Sequence, residues 1–300
     1  MMKEKRMKES TVWQIAAHAV MITGSVLAVF PFVLLVIASF TDNQTALMNG
    51  YSFFPEKWSL EAYSYIAREW MTVGRAYLMT IAVTVIGTVL SLVITSTFAF
   101  AVSNDKLPGH KILMFMSIFT MLFNGGIVAS YYIYSNIFHI KNTIWALIVP
   151  SLLMSPFNVV LVKNYYQNSI SSSILEAAQI DGAGVFQVFR KIVLPLSVPI
   201  LATIGLMTAI AYWNDWTNGL YFLTEKDGAN LYTIQLVLNK INENVNFLAN
   251  NSELSVRATS MPSTTIRMAI AVVGVLPIMI AYPFFQKYFV KGITLGGVKE

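Results

Sequence analysis

Apolar residues along this chain come in long runs. Between its charged positions lie six charge-free stretches, 10–41, 76–104, 112–140, 142–162, 192–214 and 268–286, each 19 to 32 residues long. About 20 residues of helix cross a bilayer's hydrocarbon core, whereas the strands of a membrane barrel are alternating segments of about ten. These runs are apolar all round. They predict helices near 10–41, 76–103, 111–134, 143–162, 197–222 and 268–286, hence an all-α membrane protein of six transmembrane spans. Four basic residues (Lys3, Lys5, Arg6 and Lys8) precede the first run, as they would in a signal peptide. That run is about twice the length of a secretory apolar core, so it reads as a retained first span.

Composition narrows the class. Of 300 residues, 56% are hydrophobic and 12% charged, against about a quarter charged in an average soluble domain. Too few polar side chains exist to cover a soluble globule of this size. The absence of cysteine removes disulfide scaffolds, thiol nucleophiles and thiolate metal sites. Lys and Arg placement sets the expected orientation. With the N-terminus inside, segments 1–15, 104–111, 163–196 and 286–300 carry twelve bases and six acids. Segments 41–75, 129–142 and 224–267 carry eight of each. Both termini are therefore expected in the cytoplasm. Membrane orientation explains the basic balance, and no basic stripe interleaved with aromatics points to nucleic acid. The expected organisation is a cytoplasmic segment 1–15, a six-span domain 16–290, and a cytoplasmic tail 291–300.

Two loops, the cytoplasmic 163–196 and the outer 224–267, exceed the two to eight residues usual between packed helices. In the first, Ser173 and Glu176 have capping-box spacing, in which each side chain satisfies the other residue's backbone amide. Gly182 follows where a left-handed residue closes a helix. Val185, Val188, Phe189 and Ile192 then predict one apolar face of a second helix, with Arg190 and Lys191 in its last turn, where cations complement the helix dipole. Pro195 and Pro199 mark entry to the fifth span. From the residues alone, this helix–Gly–helix elbow is either an interfacial hairpin or a docking element for a soluble partner.

Glu176-Ala177-Ala178, Gly182, Ile192, Leu194 and Pro195 match EAA-x3-G-x9-I-x-L-P at every fixed position. This resembles the EAA motif of permease subunits in binding-protein-dependent ABC importers. Asp181-Gly182-Ala183, Leu194–Pro199 and the C-terminal Tyr282–Gly296 look like the MalG-like carbohydrate branch, within it the LplC/YtcP type that handles oligosaccharides. The resemblance implies a permease of the bacterial cytoplasmic membrane that moves an oligosaccharide by alternating access and is not itself an enzyme. It implies that Glu176, Ala177, Ala178, Asp181, Gly182, Ile192, Leu194 and Pro195 couple it to an ATPase. The implied partners are a second, related permease, two cytoplasmic ATPase subunits and an extracytoplasmic solute-binding protein that meets the outer loop. No GxxxxGK[ST] phosphate loop occurs in the chain, so ATP and Mg are expected on the ATPase subunits, with no cofactor, metal or catalytic residue here.

The fifth run ends in Trp213-Asn214-Asp215-Trp216-Thr217-Asn218. A charge at the bilayer centre costs roughly 2.5–3.5 kcal/mol on insertion scales and usually faces water or a partner. Flat Trp faces beside Asn and Asp edges suit a sugar, so Trp213, Asn214, Asp215, Trp216 and Asn218, together with Asn124, are candidates for the solute path; anchoring at the membrane interface or packing between permease subunits is the alternative. Asn124-Gly125-Gly126 interrupts the third run and reads first as a close-packing site between helices, second as a break near the path. An ion-coupled secondary transporter is the alternative function. Such a carrier would usually show several intramembrane ionisable residues and related halves, whereas Asp215 stands by itself and no internal repeat is visible.

Overall fold

The computed structural model describes residues 2–68, 70–250 and 263–295. Residues 251–262 of the expected outer loop and 296–300 of the expected tail lie outside them. Among the described residues the chain is helical, with an isolated antiparallel bridge between Thr41 and Trp58. Two compact units can be distinguished, Met1–Trp70 with Ile241–Val275, and Met71–Lys240 with Leu276–Glu300.

The first unit begins with α1 (Met2–Ser39), whose stretch Trp13–Ser39 is long and apolar enough to cross a membrane. Its described side chains stay exposed until close to its C-terminal end, where Ala38 and Ser39 are buried. There the chain ties a knot. Asp42 caps α2 (Asn43–Asn49) by accepting from the Gln44 amide at 3.1 Å. The chain returns so that the Asp42 amide donates to Lys57 O at 3.0 Å and the Ser59 amide to Phe40 O at 2.7 Å. The Lys57 ammonium lies 2.9 Å from the Asp42 carboxylate. A short helix α3 (Glu61–Arg68) follows. Its Tyr63 stacks on Phe40 at 4.7 Å and shares a 2.8 Å hydroxyl bond with Ser39.

The second unit is organised by α4 (Trp70–Ser103), among the described residues the other single helix long and apolar enough to span. Its buried face runs Val73, Ala76, Thr80, Val83, Gly87, Ser91, Thr95, Ala99 and Val102, a three-and-four spacing rich in small residues that lets a partner helix approach closely. That partner is α12 (Val198–Asn214). The Tyr212 ring occupies the space above Gly87, where an added Cβ would lie 2.5 Å from the ring. The Tyr212 hydroxyl donates to Ile148 O at 2.8 Å. Around this contact Val83, Leu147, Ile148, Leu223 and Leu236 form one core. Nearer the other end of α4, Ala99 and Val102 join Val159, Val162, Tyr166, Val188, Phe189, Ile200 and Ile204 in a second.

Three predicted spans are not single rods. The third divides into α5 (His110–Leu122) and α6 (Gly126–Tyr132), the latter continued by a π-turn over Ile133–Ile137, with a bend of 118° between the halves. At the break the Asn124 Oδ1 accepts from the Gly126 amide at 2.8 Å, and Gly126 adopts φ +78°. No other atom lies within 4 Å of a Cβ built at Gly126. For Gly126 the first reading, close helix packing, is therefore corrected: it serves the turn, while a Cβ at Gly125 would meet the Ala129 methyl at 3.6 Å. The fourth run yields α7 (Trp145–Ile148) and α8 (Pro156–Ser169). Pro150 lacks the amide that a continuous helix would need, and Pro156 starts α8 in its first turn, where no amide is required. The fifth run ends at Asn214 and resumes as α13 (Thr217–Phe222). The sixth is continuous and longer than expected, α16 (Ser263–Leu295), despite Pro277 and Pro283.

Beyond α13 the chain is pinned to the rest of its unit. Asn142, at φ +57°, donates its amide to Phe222 O at 3.0 Å and accepts at Oδ1 from the Thr224 amide at 2.7 Å. The short α14 (Glu225–Gly228) follows, then α15 (Ile234–Asn250), whose first amide donates to Thr80 Oγ1 at 2.8 Å. Lys240 on α15 lies 2.7 Å from Glu225 and over the Tyr232 ring at 4.4 Å.

Two outcomes are expected. Gly87→Ala should overpack the α4–α12 contact and lower stability by about 1–3 kcal/mol, read as an earlier unfolding midpoint in detergent; adding Tyr212→Ala should erase most of the Gly87→Ala effect. The Lys57 ammonium holds the Asp42 carboxyl below its ordinary value of 3.8. Stability from this bond is present above that value and is lost as pH falls through the lower folded one. Amide exchange at Ser59 should accelerate only in that acidic window.

Candidate functional site

The elbow is built from the end of α8 onward. α9 (Ser172–Ile180) opens at Ser171, and the Ser171 and Ser173 hydroxyls bond each other at 2.7 Å. Ser171, not Ser173, occupies the cap position, so the expected Ser173–Glu176 capping box does not form and the Glu176 side chain is left exposed. At its far end α9 closes through two reversed bonds: the Gly182 amide donates to Gln179 O at 3.1 Å and the Ala183 amide to Ala178 O at 2.9 Å. Gly182 sits between them at φ +80°. This is the Schellman closure, which demands a residue without a Cβ clash at that position. It gives the spacing a physical cause, because Ala178 must stand four residues before the glycine for its carbonyl to meet the Ala183 amide. Ala178 and Ala183 then pack on the same core as Leu175.

The return limb begins with the Gly184 amide donating to the Gln187 side chain at 3.3 Å, a cap the sequence reading missed although glutamine stands at the right distance. α10 (Val185–Val188) widens at once into a π-turn over Phe189–Val193, then α11 (Leu194–Leu196). The Leu194 amide reaches back five residues to Phe189 O. Pro195 explains the widening, because its ring would collide with the carbonyl four residues earlier in a regular helix, and one extra residue in the turn carries that carbonyl aside. The extra residue also rotates the apolar face. The expected set Val185, Val188, Phe189 and Ile192 is replaced by a buried set Val188, Phe189 and Val193, with Ile192 and Leu194 half-buried and Val185 and Pro195 exposed. At Ser197 the helix axis turns by 77° into α12, the Ser197 hydroxyl donating to Val193 O at 2.6 Å.

The elbow therefore presents an apolar knuckle to its surroundings. Ile180 is 86% exposed and Phe186 70%, with Val185 and Ile174 also exposed. Glu176, Ala177, Asp181 and Gly182 are exposed alongside them, and Arg190 and Lys191 stay outside the core. Projecting apolar side chains over a rigid backbone closure are the kind of surface that contacts another protein or a membrane.

The second group lies at the break between α12 and α13. The Asp215 Oδ1 accepts from the Thr217 amide at 3.1 Å and the Asn218 amide at 3.4 Å, so it caps the first turn of α13. Asn218 is buried and its amide group donates to Pro150 O at 3.0 Å. Trp213 is buried, 6.3 Å from the Tyr77 ring, and borders an apolar crevice of about 460 Å³ between α4, α12 and Pro277–Ile278. Asn214 and Trp216 are exposed, and the Asn214 Oδ1 accepts from Gln235 at 3.5 Å. Gln235 had not been singled out, since only the fold brings α15 beside this break. The recorded bond of Asn124 is local, to Gly126.

Long apolar helices, broken spans held by side-chain caps and a projecting two-helix elbow define a membrane-embedded transport component. The chain belongs to the family of binding-protein-dependent transport system inner membrane components, whose profile matches residues 92–295. It is accordingly a permease subunit of an ABC importer. It is 34% identical to the polygalacturonan/rhamnogalacturonan transport system permease YtcP of Bacillus subtilis over 97% of this chain and 99% of that protein. With protein LplC of the same organism it shares 33% identity over 91% and 90%. Among solved structures, a chain of a bacterial ABC transporter involved in import of the acidic polysaccharide alginate superposes with a TM-score of 0.76. That chain is 28% identical, and the match covers 93% of this chain and 96% of that one.

Asp215→Asn should leave stability nearly unchanged, because an amide oxygen caps as well as a carboxylate, whereas Asp215→Ala should cost about 1 kcal/mol. Thermal unfolding of the solubilised protein distinguishes them; equal losses would show that the break needs charge and not a cap.

Proposed function

We propose that this permease imports an oligosaccharide, with uronic-acid-bearing chains the favoured class, and that its elbow is the element through which ATP hydrolysis drives the movement. The exposed knuckle of Ile180, Val185 and Phe186, set over a Schellman closure, is the observation that carries the coupling role. A partner seated on it receives a stiff lever: α9 is fixed to the core through Leu175 and Ala178, and the return limb continues into α12. Glu176 and Asp181 supply polar contacts at its rim, while Ala177 keeps the docked face slim. Ile192, Leu194 and Pro195 act behind the knuckle by setting the wide turn.

In this reading both termini and the elbow face the cytoplasm. Two ATPase subunits bind ATP and Mg, a second permease completes the translocation path, and a solute-binding protein delivers the sugar from outside, meeting the outer loop. The choice of sugar rests on the transport named for YtcP and for the alginate importer. For the path itself, Asn214 and Trp216 offer an amide edge and an aromatic face at the α12–α13 break. Trp213, Asp215 and Asn218 hold that break in shape from within, and Asn124 does the same at the break in the third span.

Glu176→Lys and Gly182→Val should each leave the chain inserted and assembled, yet abolish the stimulation of ATPase by loaded binding protein and the uptake that accompanies it. Reconstituted vesicles containing the whole importer test this. Normal uptake by both variants in such vesicles would overturn the coupling role of the elbow.

A further inference from the structure

The segment that follows α1 is a loop by sequence, but its tip folds back along that helix. The Phe53 ring lies tilted against that of Phe30, 4.5 Å between centroids. Phe30 stands nine residues before Ser39, the last residue of α1, which at 1.5 Å per residue is about 14 Å down the helix. The apolar stretch Trp13–Ser39 has 27 residues and is therefore about 40 Å long, against a hydrocarbon core of about 30 Å. Centred on that core, the stretch overhangs it by about 5 Å at each end, which places Phe30 roughly 8 Å inside the hydrocarbon boundary, and the Phe53 ring with it.

The rest of the tip has matching chemistry. Residues 43–55 contain no charge. Next to Phe53, Phe54 is 89% exposed; Met48 is 83% exposed, and Leu47, Tyr51 and Trp58 are exposed as well. Glu56 and Lys57 follow immediately, where the chain climbs back to the Asp42 bond. The tip is held in this pose by the Asp42–Lys57 and Phe40–Ser59 bonds at its base, by Gly50 at φ +72°, and by the Ser52 hydroxyl accepting from the Phe54 amide at 3.2 Å. These exposed apolar side chains continue the exposed surface of α1 itself. An aromatic-rich, charge-free element bounded by charges at this depth suits the boundary between headgroups and acyl chains.

We propose that residues 47–54 form a lipid-embedded hook in the leaflet at the outer end of α1, with Phe54 and Met48 in contact with acyl chains. The hook fixes the depth of the first span and seats the outer knot on the bilayer surface. This inference needs α1 to cross the bilayer and is independent of coupling or substrate.

The chain has no cysteine, so Phe54→Cys, Met48→Cys and Glu56→Cys each create a unique labelling position on this subunit, at side chains that support no core. The assembled importer in phosphatidylcholine vesicles would carry an environment-sensitive fluorophore at each. Quenching by acyl-chain nitroxide lipid is expected to be several-fold stronger at positions 54 and 48 than at 56, and quenching by aqueous iodide to show the opposite order. Iodide quenching at 54 equal to that at 56 would overturn the hook in favour of a water-facing tip or a site for the binding protein. Protection of 54 and 48 from both quenchers would overturn it in favour of burial against a partner permease.

Discussion

A backbone that leaves helical geometry inside an apolar bundle must find hydrogen-bond partners within the protein, since lipid supplies none. That constraint governs the second unit. Each break carries its own remedy: the Asn124 side chain at the third span, Asp215 at the fifth, Asn142 where the chain approaches α7, and Thr80 beneath the first amide of α15. Polar residues that look like candidates for solute contact are in several cases the ones holding the breaks together. A transporter needs such breaks, because a bundle of unbroken rods has few ways to change its aperture.

The same constraint shapes the elbow. Its two limbs meet at a glycine because only there can the turn reverse and still satisfy the carbonyls of Ala178 and Gln179. Pro195 then removes an amide and forces the wide π-turn, which rotates the return limb so that Phe189 and Val193 face the core while Val185 and Phe186 face outward. A sequence motif that looks like a recognition signature is, from the inside, a set of backbone requirements. Its recognition surface is what remains after those requirements are met.

Contact between α4 and α12 supplies the mechanical link. Small residues on α4 allow Tyr212 to sit over Gly87 and bond Ile148 O, so the helix leaving the elbow is locked to the longest helix of its unit. In the proposed coupling, force applied at the knuckle would reach this contact through α12, with Asn214 exposed at its far end and Trp216 exposed just beyond.

Much of this was legible in the sequence. Run length against bilayer thickness fixed the class and the helical content, because burying a backbone in lipid leaves few alternatives. The Ala178–Gly182 spacing announced the elbow, since a Schellman closure depends only on local geometry. What periodicity could not see was where helices fail. Pro150 sits in a run as apolar as any unbroken span, Asp215 stands just past the end of another, the interruption at Asn124 gave no hint of its sharp bend, and the phase slip at Pro195 changes which face is buried without changing composition. The return of Phe53 onto Phe30, and the arrival of Gln235 beside Asn214, were likewise invisible, because contacts between residues distant along the chain depend on how separate elements pack. Local hydrogen bonding and hydrophobic length are written residue by residue; depth, facing and juxtaposition exist only once the helices have met.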